Sequence, residues 1–207
     1  MTILFCDFNG TIVNDTLIWD EARRQTFLAF GQNPPTIAEH FQAMNSGDYL
    51  DVYRERGIKA ARPELNAIYE RTYEAEIHSV DLFPQVKETL LQLKESRISL
   101  ILVTTQMESL VSPLLDKFEI NTLFENRLFH VLNKKVVIRE IIEKRDIDPK
   151  QCYFVGDSPS DVRRAKEAGV TAIAFLTGYI PDNLLIAMKA DHYIRSFKEI
   201  IEIVPSS

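Results

Sequence analysis

Four short apolar runs set the fold of this chain: Ile3 to Cys6, Ile98 to Val103, Tyr153 to Val155 and Ala172 to Phe175. None alternates polar with apolar residues, so each predicts a strand covered on both faces. Helical spacings lie between them. Val86, Leu90 and Leu93 fall at i, i+4 and i+7, and Leu110, Leu114 and Phe118 at i, i+4 and i+8. Val137, Ile138, Ile141 and Ile142 form a stripe, and Val162 with Ala165 opens a short helix that Gly169 closes. A weaker run, Leu128 to Leu132, predicts a further strand. Strands alternating with helices predict an α/β fold around a central parallel sheet.

Residues 15–80 interrupt the alternation and hold no strand-like run. Thr36 and Glu39 are spaced as a capping box, with Ile37, Phe41 and Met44 following on one helical face. Leu65, Ile68, Tyr69 and Thr72 form another face, and Pro34-Pro35, Ser46-Gly47 and Gly57 punctuate. The spacing predicts a small all-helical domain, 15–80, inserted after the first strand of a core made from 1–14 and 81–207. Trp19, Phe27, Phe30 and Phe41 are expected in its interior. Arg23, Arg24, Arg54 and Arg56 read either as anion contacts or as a solvated charged face, and the second reading is the simpler.

The 207 residues carry a formal charge of −6. That balance argues against general nucleic-acid binding, which needs basic surface. It leaves room for a small anionic substrate met by a local cation. Cys6 and Cys152 sit in apolar runs and read as buried thiols rather than a disulfide framework. No apolar stretch approaches the roughly 18 residues of a membrane span, and the N-terminal run has no basic leader. The expectation is a soluble, cytoplasmic protein with no membrane partner.

Ligands of open α/β sheets bind beyond the carboxyl ends of the strands. Those ends read Asp7-Phe8-Asn9-Gly10-Thr11, Thr104-Thr105-Gln106 and Gly156-Asp157-Ser158-Pro159-Ser160-Asp161, with Asn133-Lys134-Lys135 opening a helix between the last two. Taken singly, each has an ordinary explanation. Asp7 can cap a turn, Lys134 and Lys135 can face solvent, and Ser158 and Ser160 can start a helix. His40, His78, His130 and His192 lack metal-ligand spacing and read as structural or exposed.

Taken together, the pieces resemble the haloacid dehalogenase-like superfamily, in its phosphoglycolate-phosphatase-like branch. The family's first motif, Asp-x-Asp-Gly-Thr, is matched by Asp7-Phe8-Asn9-Gly10-Thr11. Thr104 matches the second, and Lys134 matches the third, 23 positions before Asp157, with Lys135 as competitor. Gly156, Asp157 and Asp161 match the fourth. The likeness continues through Ala168-Gly169-Val170 and Ala190 to Ile194, and the insert resembles that branch's cap. It implies a Rossmann-like three-layer core with a helical cap, and a Mg²⁺-dependent phosphatase acting on a small phosphorylated metabolite. By the resemblance, Asp7 would attack the phosphoryl group, helped by Thr104 and Lys134. Asp7, Asp157, Asp161 and the carbonyl of Asn9 would hold Mg²⁺, and Gly10, Thr11, Thr105 and Lys134 would meet the substrate.

Asn9 departs from the pattern. The family's Asp there passes a proton to the leaving oxygen and then activates water, whereas an amide only hydrogen-bonds. The resemblance therefore implies slowed turnover, least impaired for good leaving groups, and a longer-lived aspartyl-phosphate. Thr105 stands where the family often has Asn, and Asn14 where the branch often has Asp. Other readings are a haloacid dehalogenase, which also lacks the second Asp but needs no metal; a phosphomutase, which Asn9 disfavours; and a non-catalytic phosphometabolite- or partner-binding protein.

Overall fold

The computed structural model describes residues 1–44 and 50–205; the Ser46-Gly47 turn and the side chain of Met44 lie outside the described residues. The chain separates into two compact units, one of residues 1–14 and 81–207 and one of residues 15–80.

The first unit is built on a six-stranded parallel sheet. Its strands are β1 (Ile3–Cys6), β4 (Ser99–Val103), β5 (Asn126–Leu128), β6 (Cys152–Gly156), β7 (Thr171–Phe175) and β8 (His192–Ile194), ordered β5-β4-β1-β6-β7-β8. Strand β1 is wholly buried and lies between β4 and β6, with Cys6 level with both Leu102 and Val155. The connecting helices are α5 (Val86–Glu95), α6 (Glu108–Lys117), α7 (Lys134–Arg145), α8 (Pro159–Ala168), α9 (Asp182–Ala187) and α10 (Ile200–Ile203). The apolar stripes do bury: Val86, Leu90 and Leu93 on α5, Leu110 and Leu114 on α6, Ile138 and Ile142 on α7. Gly169 ends α8 with a φ of 85°, the left-handed conformation that favours glycine.

Two features differ from the sequence expectation. The strand expected at Leu128 to Leu132 lies earlier, at Asn126–Leu128, where Asn126 and Arg127 are exposed. An edge strand has a single neighbour, here β4, so it needs no continuous apolar run. The loop that follows lies along the end of β4: the Val131 N–H donates to the Thr104 carbonyl and the His130 N–H to the Gln106 carbonyl, both at 2.9 Å. A two-residue ribbon pairs β2 (Val13–Asn14) with β3 (Asp81–Leu82) antiparallel. It closes the core chain where residues 15–80 leave and return, and is too short to show any periodicity.

The second unit holds α1 (Thr16–Ala29), α2 (Ile37–Met44), α3 (Asp51–Arg54) and α4 (Arg62–Glu76). Thr36 and Glu39 bond reciprocally at the start of α2, as a capping box requires. Helix α1 packs on α4, and a cluster of Phe27, Val52, Tyr53, Ile58 and Leu65 fills the interior. Tyr73, outside the expected face of α4, is fully buried and donates to Asp15 at 2.9 Å. Ile68, Tyr69 and Thr72 are half-buried. Trp19 stacks on Phe41 at 5.4 Å, with His40 edge-on to both. Arg23 corrects the solvated-face reading: it is buried and bonds Asp20 at 2.6 Å and the Pro35 carbonyl at 2.7 Å. Among the described residues, no helix is long and apolar enough to cross a membrane.

His40 is 5% exposed, and its Nδ1 has no hydrogen-bond partner. Burial, and then the positive charges of Arg23 and Arg56, pushes its pKa down to about 3. An unfolded histidine titrates near about 6.5, so between these values the unfolded chain binds the extra proton. The stabilisation is complete above the unfolded value and is lost as pH falls towards the folded one, by about 1.4 kcal/mol per pH unit. Urea denaturation of parent and His40→Gln between pH 7 and pH 4 should therefore show a shallower acid slope in the variant. Equal slopes would mean that His40 is not held neutral.

Candidate active site

The carboxyl ends of β1, β4 and β6 are adjacent in the sheet, so the polar residues that follow them gather at one edge. Asp7 stays in register beyond β1, its N–H donating to the Val155 carbonyl at 3.0 Å. The chain then turns tightly, with the N–H groups of Thr11, Ile12 and Val13 all directed to the Phe8 carbonyl. Gly10 has a φ of 68°, and a Cβ there would collide with the Asp157 carboxylate. Its N–H donates to the Val13 carbonyl at 3.0 Å. Gly10 thus admits the Asp157 carboxylate at the turn where a substrate contact is expected. Thr11 is fully buried, with its hydroxyl given to Asp157 Oδ1 at 3.3 Å.

Asp157 follows β6 directly, and Asp161 stands one turn into α8. Ser158 caps that helix: its hydroxyl accepts from the Asp161 N–H at 3.2 Å and donates to Asp161 Oδ2 at 2.6 Å. The capping box that starts α8 therefore also fixes this carboxylate. Gly156 leaves room for it, since a Cβ there would lie 2.5 Å from that of Asp161. The carboxylates of Asp7, Asp157 and Asp161 are all buried, with one oxygen from each within 4.8 Å of the others.

Lys134, the first residue of α7, is buried against this cluster. Its Nζ lies 2.7 Å from Asp7 Oδ1 and 2.7 Å from Asp161 Oδ1, and 5.4 Å from the Phe154 ring centre. Lys135 points elsewhere, 3.7 Å from Glu167. Burial opposes the charge on Lys134, but the two carboxylates outweigh it and hold the ammonium above its ordinary value. Asp7 moves up to about 7, raised by burial and by Asp161 and held back by Lys134. Three buried carboxylates gathered beside the Lys134 ammonium make an acidic cluster, an environment that a divalent cation would suit. The donors are hard oxygens, which suit Mg²⁺.

Thr104 is buried at the end of β4, where its hydroxyl accepts from the Gln106 N–H at 3.1 Å and lies 3.5 Å from Asn9 Oδ1. Thr105 is exposed, whereas Gln106 is buried, with its side-chain oxygen accepting from the Met107 N–H. Gln106 was not singled out by its sequence position, and a polar residue after a strand carries no signal of inward direction. His130 and His192 are exposed.

Comparison with known proteins agrees with this arrangement. Residues 3–175 match the haloacid dehalogenase-like hydrolase family. A phosphoglycolate phosphatase of Pseudomonas putida is 32% identical over 191 residues, covering 86% of this chain and 70% of that protein. Another, from Photorhabdus laumondii, is 26% identical over 212 residues, covering 96% and 90%. Among solved structures, a haloacid dehalogenase-like family protein from Streptococcus pneumoniae superposes with a TM-score of 0.77 at 22% identity, covering 99% of each chain. A hydrolase from Pseudomonas syringae gives 0.82 at 16%, covering 98% and 97%. With this sheet, this edge and these matches, the chain belongs to the haloacid dehalogenase-like hydrolase family, in its phosphoglycolate-phosphatase-like branch.

Proposed function

We propose that the protein is a Mg²⁺-dependent phosphohydrolase that works through a phosphorylated Asp7 on a small phosphorylated metabolite in the cytoplasm. One observation carries the reading: three buried carboxylates lie within 4.8 Å of one another, and the Lys134 ammonium pairs with two of them. Asp7, Asp157 and Asp161 would hold Mg²⁺, which would supply positive charge opposite the phosphoryl oxygens. Asp7 attacks phosphorus and displaces the leaving oxygen. Lys134 and the Thr104 hydroxyl stabilise the transferred group, whose reaction depends mainly on positioning and charge neutralisation. Asp161 orients Lys134 and Thr11 orients Asp157. Residues 15–80 are assigned as the cap domain and the remainder as the catalytic core.

Asn9 favours a second reading, a phosphometabolite-binding protein without turnover, because an amide carries no proton between steps. Hydrolysis of p-nitrophenyl phosphate and of an alkyl phosphate, with Mg²⁺ and with chelator, separates the two. The phosphohydrolase reading expects activity only with Mg²⁺. It also expects Asn9→Asp to raise alkyl-phosphate turnover by about 10²–10⁴-fold, the scale of general acid–base help. A folded, Mg²⁺-binding protein that stays inert both as parent and as Asn9→Asp would leave the binding reading standing.

A further inference from the structure

The polar groups around Asp7 are already committed. Asp161 gives one oxygen to Lys134 and the other to Ser158. Asp157 accepts from Thr11, and Lys134 is tied to two carboxylates. The residue two positions after the nucleophile is an amide, with its oxygen turned to Thr104. Such a site can neutralise charge on a phosphoryl group, yet among the described residues the carboxyl groups gathered there are tied to Lys134, Ser158 and Thr11, and position 9 offers an amide where an acid would protonate a departing oxygen. The consequence falls on the leaving group.

We propose that the site takes acyl phosphates, the mixed anhydrides of carboxylic and phosphoric acids, in preference to alkyl phosphate esters; the proposal rests on the phosphohydrolase reading above. In the first step, a carboxylate oxygen of Asp7 bonds to phosphorus and the phosphorus–oxygen bond to the acyl group breaks. The carboxylate leaves with the electron pair and needs no proton, because its conjugate acid has a pKa of about 4. An alkoxide, whose conjugate acid is as weak as water at about 16, must be protonated as it leaves. In the second step, water adds to phosphorus, Asp7 is released as carboxylate, and inorganic phosphate departs with both hydrogens or loses one to solvent. Residue 9 cannot take the water proton, so this step is slow and phosphorylated Asp7 accumulates.

The test mixes full-length protein and Mg²⁺ with acetyl phosphate or with glycerol 3-phosphate, and follows the intact mass of the chain and the release of acetate. Parent, Asp7→Asn and Asn9→Asp are run together. Acetyl phosphate is expected to add one phosphoryl group to the parent, matched by one acetate, while glycerol 3-phosphate leaves its mass unchanged. Asp7→Asn gains none. Asn9→Asp should speed the alkyl ester by about 10²–10⁴-fold; with acetyl phosphate it should alter the first-turnover burst of acetate less than tenfold, while the phosphorylated chain no longer accumulates. Equal use of both donors by the parent overturns the proposal and means that another group, such as the exposed His130, supplies the proton. Turnover of glycerol 3-phosphate by Asn9→Asp, with no loading of the parent by acetyl phosphate, overturns the leaving-group preference alone. If neither chain reacts with either donor, the phosphohydrolase reading falls with it.

Discussion

Asp7→Asn should lose Mg²⁺-dependent phosphoryl transfer by about 10⁴–10⁶-fold, the range seen when a nucleophile or its partner is removed from a hydrolase. Asparagine has nearly the shape of aspartate, and position 7 is buried at a strand end, so the backbone pairing with Val155 survives. What disappears is the attacking oxygen anion and one of the three negative charges that call for a cation. Two readouts should therefore move together: steady-state hydrolysis falls to background, and Mg²⁺ stabilises the variant less against urea than it stabilises the parent. Asn9→Asp moves activity in the opposite direction from the same turn, which separates loss of the nucleophile from general disturbance. Activity of Asp7→Asn within tenfold of the parent would place the attacking atom elsewhere, with directly attacking water as the first alternative.

The central strands were legible because burial on both faces leaves a continuous apolar run, as in Ile3–Cys6, where all four residues are buried. The edge was not. β5 carries Asn126 and Arg127, and its membership of the sheet depends on backbone pairing with β4 rather than on side-chain type. The β2–β3 ribbon was missed for a related reason, since two residues cannot display a period of two. In the helical unit the amphipathic stripe located Leu65 but passed over Tyr73, whose ring is buried while its hydroxyl reaches Asp15. A tyrosine surrounded by Glu and Thr in sequence gives no warning of that.

Within the site, the carboxylates could be placed because each follows a strand end at fixed register. The choice between Lys134 and Lys135 could not be made from spacing. It depends on the rotation of α7, which turns Lys134 inward to Asp7 and Asp161 and leaves Lys135 beside Glu167. The two motif glycines were recognisable from the sequence, but the contacts they make were not. Gly10 and Gly156 make room for Asp157 and Asp161, a contact between residues far apart in the chain. Arg23 shows the opposite failure: charge alone suggested solvent, yet Asp20 and the Pro35 carbonyl satisfy its guanidinium inside the helical unit.

Lys134→Met is expected to destabilise the metal-free protein by about 3–5 kcal/mol at pH 8, the cost of removing one member of a buried charged group. Methionine fills much of the volume and can rest on Phe154, so lost packing is a minor part. The larger part is electrostatic: Asp7 and Asp161 lose the ammonium that sits 2.7 Å from each, and three carboxylates remain within 4.8 Å. Lowering the pH should soften the loss, because Asp7, already moved up to about 7 by burial, can then take a proton and shed its charge. Mg²⁺ should soften it too, and more than it stabilises the parent, since the variant cluster lacks the positive charge that Lys134 supplies and ligand binding stabilises the folded state by mass action. Urea denaturation of both proteins at pH 8 and pH 6, each with chelator and with Mg²⁺, measures all three effects. A variant as stable as the parent in chelator, with the same response to Mg²⁺, would show that Lys134 does not balance this cluster. The charge argument for a divalent cation would then fail at its first step.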